Sequence, residues 1–165
     1  LPHITDRVVT VASSAHRWGG FDLDDLNWER RDYRTERAYG QSKISNLLFT
    51  LELQRRLEGT GLRAYAAHPG YAATNLQGHT GNLVKHALMA LGNRVVAQSA
   101  EAGALPTLYA ASQDLPSGSY VGPDGLGEYR GSPTLVGRTA VASDPELARK
   151  LWTESESLTG VSWPL

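Results

Sequence analysis

The chain has 165 residues, with 16 basic against 17 acidic side chains and a net charge of −1; that length favours a single domain, and the charge balance offers no electrostatic footprint for nucleic acid. Cysteine is absent, which excludes disulfide frameworks and thiolate metal sites. The five histidines, at 3, 16, 68, 79 and 86, form no close ligand-like pair, so no metal site is expected, and a hydrophobic share of 41% is ordinary for a domain that can build a core.

The opening segment, Leu1-Pro2-His3-Ile4-Thr5-Asp6-Arg7, lacks the apolar stretch of a signal peptide. The uncharged run 64–84 is long, but it holds His68, Pro69, Asn75, His79, Asn82 and several glycines, the composition of strand and loop and not of a membrane span. A soluble, cytoplasmic protein is the expectation. Val8-Val9-Thr10-Val11 is apolar and β-branched and reads as a buried strand ending in Ala12-Ser13-Ser14. From Trp18 to Arg34 no period is sustained, which predicts a long surface loop. Its arginines (30, 31, 34, with 37 beyond) are interleaved with Asp22, Asp24, Asp25, Glu29, Asp32 and Glu36, so they read as a solvated face and not as an anion-binding patch.

A helix is predicted from Glu36 to about Glu58, with Thr35 as N-cap and an apolar stripe at Ile44, Leu47, Leu48, Leu51 and Leu57; Gly59 and Gly61 stop it. Leu62 to Ala67 reads as a second strand, closed by His68-Pro69-Gly70. Strand, helix and strand make a βαβ crossover, which argues for a parallel sheet. A loop is expected to about Gly81, a short helical segment over Leu83–Leu91, a helix over about 97–113 bent at Pro106, and a third strand at Ser119-Tyr120-Val121. The last helix has the clearest start: Asp144 as N-cap, Pro145 at the first position, and Ser143 to Glu146 fitting a capping box. It runs to about Leu158 and stops at Gly160, and Trp152 and Trp163 read as core or interface aromatics.

Chemistry concentrates at Tyr39-Gly40-Gln41-Ser42-Lys43 near the start of the long helix. Residues four apart share a helix face, so phenol and ammonium can converge on one point in front of the sheet. A phenol is a poor acid or base at neutral pH, and a neighbouring cation favours its ionised form. That is the physical reason a Tyr–Lys pair can trade protons with an alcohol or a ketone. Seven Tyr and three Lys give about 0.13 chance matches to this spacing, so the pair alone is weak. Its context is stronger. Ser13 stands at the C-terminal end of a buried strand, where open α/β sheets place ligands, and the next strand runs into Pro69-Gly70-Tyr71-Ala72-Ala73-Thr74 on the same edge.

On these residues the chain resembles the short-chain dehydrogenase/reductase family, and within it the branch of retinol dehydrogenases and WW-domain oxidoreductases. The segment 7–16 is similar to that branch's fifth strand and catalytic-serine segment, 38–49 to its catalytic helix, 68–74 to its Pro-Gly-x-x-x-Thr segment, and 118–123 with 147–152 to its last strand and final helix. The resemblance implies an α/β fold, the C-terminal portion of a Rossmann-type doubly wound parallel sheet, with strands resembling the fifth to seventh and flanking helices. It implies Tyr39 as general acid/base for the substrate oxygen, Lys43 as the holder of the ribose hydroxyls of NAD or NADP, and Ser13 as a hydrogen-bond partner of the same substrate oxygen. Ser14 competes with Ser13, and the family pattern favours Ser13. Pro69, Gly70 and Ala72 would line the nicotinamide, and Thr74 would bond near its carboxamide or the diphosphate. The implied substrate is a small hydrophobic alcohol, aldehyde or ketone. Leu83, Val84, Leu88, Met89 and Leu91 could dock on a membrane, but in this position of the family a lid over an apolar substrate pocket is the better reading.

There are departures. Thr10 stands where the family often has Asn. The Gly-x-x-x-Gly-x-Gly phosphate turn, the residue that selects NAD or NADP, and the Asn that completes the catalytic set are not in the sequence. Residues 1–165 are therefore expected to be the C-terminal catalytic part of one domain whose nucleotide-binding half lies outside this chain, in keeping with Leu1 in place of an initiator Met. Family members pair subunits through the helix bearing Tyr39 and the one before it, which leaves a homodimer open. The competing reading is a non-catalytic fragment or interaction module. His68, beside Pro69, reads as a hydrogen-bonded structural histidine and not as a catalytic base.

Overall fold

Two-residue alternation along short strands sets the architecture. A computed structural model describes residues 3–71 and 98–163. Four strands, β1 (Arg7–Val11), β2 (Arg63–Ala67), β3 (Tyr120–Pro123) and β4 (Pro133–Leu135), form one sheet in the order β1-β2-β3-β4. β1, β2 and β3 run parallel, with Val11 opposite Ala67 and Ala67 opposite Val121. β4 is antiparallel to β3 and pairs Pro133 with Pro123. The expected parallel sheet is present over three strands. The antiparallel fourth is a difference: three residues led by a proline carry no period, and proline is tolerated there because the strand is an edge.

Helices cover both faces. α1 (Thr35–Arg56) connects β1 to β2 and packs against α3 (Pro145–Thr159). Ala66, Ala12 and Tyr120 meet Ile44, Leu47, Leu48, Ala148 and Leu151 on this face, while Ala64 meets Leu53, Leu57 and Trp152. The alternate residues Tyr65, Ala67 and Val121 meet Ala110 of α2 (Ala100–Ser112) on the other face. Alanine at three of the five positions of β2 keeps that strand thin, so both helical layers approach it closely. Trp152 stacks on Phe49 at 5.3 Å between ring centroids and meets Trp163 edge-on at 5.1 Å, which makes it a core aromatic.

Several boundaries differ from the sequence expectations. Thr35 is the first helical residue of α1 and not its cap; Arg34 occupies the N-cap with extended backbone and no side-chain hydrogen bond. At α3 the cap is Asp144 alone. Its Oδ1 accepts from the amides of Glu146 (2.8 Å) and Leu147 (3.1 Å), while Ser143 turns away and donates to the Thr139 carbonyl, so the Ser143 capping box does not form. A carboxylate two and three residues from the amides it must satisfy outcompetes a hydroxyl one position earlier. The 18–34 segment is less of a surface loop than expected. Phe21, Leu23 and Leu26 pack against the core, and Asp25 is buried, its carboxylate accepting from the amides of Glu29 and Arg30. The predicted helix over Leu83–Leu91 lies outside the described residues, and among those described no helix is long and apolar enough to cross a membrane.

Candidate active site

Because β1, β2 and β3 are parallel, their carboxyl ends share one edge of the sheet, and three chain segments leave from it. Ser13 follows β1 and caps a 3-10 turn over Ser14–Arg17, its Oγ accepting from the Ala15 amide at 3.1 Å. The hydroxyl proton remains available as a donor. Ser14 lies inside the turn, one residue further on. β2 leads into Pro69 and Gly70, and β3 into the segment 124–129.

α1 begins at this same edge, because it must travel back to the start of β2. Tyr39 and Lys43 therefore lie in its first turns. The Lys43 Nζ stands 5.4 Å from the centroid of the Tyr39 ring, and among the described residues Lys43 forms no ion pair. Tyr39 is 40% exposed. Two features that the sequence did not signal place this helix. The Asn46 amide donates to the Val11 carbonyl at 2.9 Å, tying α1 to the end of β1. Gly40 and Gly19 meet backbone to backbone: a Cβ on Gly40 would lie 2.7 Å from the Gly19 nitrogen and 3.0 Å from the Ala15 carbonyl oxygen. Glycine at both positions lets the segment after Ser13 approach the helix next to Tyr39.

The 20–34 segment braces the same end of α1. The Gln41 side chain receives the Asp22 amide (3.3 Å) and an Arg31 Nη (2.6 Å) on its oxygen, and donates to the Leu26 carbonyl at 3.2 Å. Arg31 pairs with Asp22 and Asp25 and lies 3.8 Å over the Trp28 ring, so this arginine is a strut and not part of a solvated face. A cavity of about 480 Å³ opens beside it, lined by Trp18, Trp28, Arg31, Arg34 and Arg37, and neither Ser13, Tyr39 nor Lys43 lines it.

At the Pro69–Gly70 turn, Gly70 has φ 67°, and a Cβ there would lie 2.8 Å from Pro123 Cγ and closer still to the Tyr129 carbonyl oxygen. The Tyr71 amide donates to that carbonyl at 2.7 Å, and the Tyr71 carbonyl accepts the Gln98 amide at 2.9 Å. The Gln98 side chain also donates to the Pro69 carbonyl. His68 is fully buried, as its reading as a structural histidine requires; Nδ1 accepts from the Gly70 amide at 3.2 Å and Nε2 faces Glu128 at 3.0 Å. Burial pushes its pKa down to about 4 against the pull of Glu128. His16, also buried, is lowered for the same reason, and burial drives the Tyr120 phenol well above its ordinary range.

Of the sequence-derived site residues, Ser13, Tyr39, Lys43, Pro69 and Gly70 come to one sheet edge; Ala72 and Thr74 lie outside the described residues. The exposed phenol, the ammonium without a carboxylate partner among the described residues and the small turn with upturned backbone fit the ribose and nicotinamide end of a nucleotide. Nothing in the sequence supplies a glycine-rich turn for its diphosphate.

Comparison with known proteins finds relatives over nearly the whole chain. Retinol dehydrogenase 13 of Homo sapiens is 40% identical over 164 residues, 96% of this chain and 47% of the relative. Polyprenol dehydrogenase of Mus musculus is 38% identical over 156 residues, 93% of this chain and 44% of the relative. A crystal structure of an uncharacterized protein from Mycobacterium Paratuberculosis is 48% identical with a TM-score of 0.77, covering 99% of this chain and 54% of that one. No family model matches. The chain spans about half the length of the curated relatives it matches.

Proposed function

This chain is homologous to the short-chain dehydrogenase/reductases, its curated relatives being retinol dehydrogenases and other members of that family, and on that premise we propose that it carries the proton-transfer half of an NAD- or NADP-dependent oxidoreductase acting on a hydrophobic alcohol or carbonyl. The observation that supports this most directly is the Tyr39–Lys43 pair, one helical turn apart and 5.4 Å from ammonium to ring, beside Ser13 at the carboxyl edge of a parallel sheet.

In alcohol oxidation the Ser13 hydroxyl, its oxygen already held by the Ala15 amide, donates a hydrogen bond to the substrate oxygen and steadies the charge that develops there. Tyr39 Oη would take the substrate's hydroxyl proton as general base. Lys43 offsets the negative charge on that phenol and offers its remaining N–H groups to ribose hydroxyls. The bound nicotinamide supplies the hydride acceptor. Pro69 and the upturned Gly70 backbone would hold the nicotinamide ring against the substrate carbon.

The experiment is turnover of retinol and of a medium-chain alcohol with NAD and with NADP, comparing wild type with Tyr39→Phe. Loss of general acid–base catalysis predicts a drop of about 10²–10⁴ in kcat. An unchanged rate in the Phe variant would overturn the mechanism. If the chain neither turns over nor binds either nucleotide at micromolar concentration, the non-catalytic module is the better reading, consistent with its spanning about half of its relatives.

A further inference from the structure

We infer that Glu128 is a positioning residue: through His68 it sets the Pro69–Gly70 turn, and through Arg17 it ties that turn to the Ser13 segment. The inference deepens the proposed oxidoreductase reading and rests on it for the identity of what the turn holds. Four groups form a continuous chain. Arg17, at the end of the 3-10 turn capped by Ser13, donates from Nη1 to Glu128 Oε2 (3.0 Å) and from Nη2 to Oε1 (2.8 Å) and to the Gly137 carbonyl (3.0 Å). Glu128 Oε2 lies 3.0 Å from His68 Nε2, and His68 Nδ1 receives the Gly70 amide at 3.2 Å.

The chemistry of the ring makes this directional. Nδ1 can accept from Gly70 only when it carries no proton, so a neutral ring must carry its proton on Nε2. A carboxylate facing Nε2 selects that tautomer, as an outer carboxylate does for a metal-ligating histidine. Full burial keeps the ring neutral, so a single tautomer persists.

Local backbone agrees with a purpose beyond filling space. Glu128 has φ 58°, a left-handed conformation that strains a non-glycine residue. Gly127, also left-handed at φ 64°, precedes it, and the next residue supplies the Tyr129 carbonyl that receives Tyr71. Gly122 of β3 has no side chain because a Cβ there would overlap the His68 imidazole. The strained 127–129 corner thus presses on the 68–71 turn at two points, by a side chain at His68 and by a carbonyl at Tyr71. Residues 60 positions apart in the sequence set a turn that is otherwise a Pro-Gly corner without a side chain of its own to orient it.

The test uses Glu128→Ala and Glu128→Gln, read by the ¹⁵N shifts of the His68 ring and by hydrogen exchange at the Gly70 amide. Glu128→Ala is expected to admit the Nδ1–H tautomer and to speed Gly70 exchange roughly two- to tenfold, the scale of one lost hydrogen bond. Glu128→Gln keeps an acceptor for Nε2–H, so its tautomer is expected to stay native and its Gly70 exchange to fall between the two. In turnover, KM for the nucleotide is expected to rise more than kcat falls. Native tautomer and native exchange in Glu128→Ala overturn the inference. Accelerated Gly70 exchange with no nucleotide binding even by wild type upholds the positioning role and overturns the cofactor reading instead.

Discussion

At the scale of single residues the buried histidines govern how the fold responds to acid. His68 has an ordinary value of 6.5 and stands at about 4 in the fold, with burial the larger cause. The charged groups facing it are Glu128 and Arg17, with His16 and the Tyr120 phenol beside the ring. Between these two values the unfolded chain holds a proton that the folded one refuses, so stability rises with pH across that window and is lost as pH falls through it. Below the lower value the contribution is flat. His16, lowered by burial, acts in the same direction, and so does Glu52, which the Arg55 and Arg56 guanidinium groups hold below the usual carboxylate range. At 1.36 kcal/mol per pH unit, acidification across this window costs the fold on the order of 3 kcal/mol through His68. Denaturant titrations at pH 7, 5.5 and 4.5 are expected to show a falling unfolding free energy, with a slope of up to one proton from His68; a flat profile would contradict the neutral buried ring. Glu128 itself was invisible in the sequence. Its partners lie 60 and 111 positions away, and an exposed-looking Gly-Glu-Tyr carries no periodic signal.

Secondary-structure elements show which signals survive folding. The helix predicted from Glu36 to about Glu58 forms as Thr35–Arg56 because its stripe of Ile44, Leu47 and Leu48 is buried against Ala66 and Ala12, and burial decides what weak capping does not. The strand at Arg63–Ala67 and the helix opened by Asp144-Pro145 were legible for equally local reasons. β4 was not, since three residues cannot express a period of two. Ser13, Tyr39 and Lys43 could be read as a group because parallel topology sends their elements to one edge. The Gly19–Gly40 contact could not, because a close approach leaves no mark on either segment alone. It carries a prediction. Gly40→Ala puts a Cβ 2.7 Å from backbone that has no side chain to move, so it is expected to cost about 1–3 kcal/mol. At about 2–4 °C per kcal/mol for a chain of this size, the melting temperature drops measurably. Gly20→Ala, whose Cβ meets nothing within 4 Å, serves as the control and is expected to stay within about 0.5 kcal/mol of wild type. Equal melting temperatures for the two variants would show that the contact is not tight.

Over the whole molecule, β1 is a terminal strand, paired only with β2 among the described residues. Its last residue, Val11, is 47% exposed. An edge strand of β-branched residues is a template for pairing with another chain. The isolated chain is therefore expected to self-associate as its concentration rises, and Val11→Lys to shift sedimentation towards monomer without lowering the melting temperature. Association unaffected by that substitution would exclude the edge as its route.

The separation in sequence between the two parts of the site also has a consequence in time. Ser13, Tyr39 and Lys43 are held by β1, α1 and β2, all complete by Ala67. Glu128 and Tyr129, which fix the Pro69–Gly70 turn, follow some sixty residues later. At about 5–20 residues per second, a ribosome needs on the order of 3–12 s to cover that stretch. A nascent chain is thus expected to pass through a stage in which β1, α1 and β2 are complete while the Pro69–Gly70 turn still lacks its contacts from Glu128 and Tyr129. Folding during synthesis assembles this sheet edge from the Ser13–Lys43 side towards the Pro69–Gly70 turn.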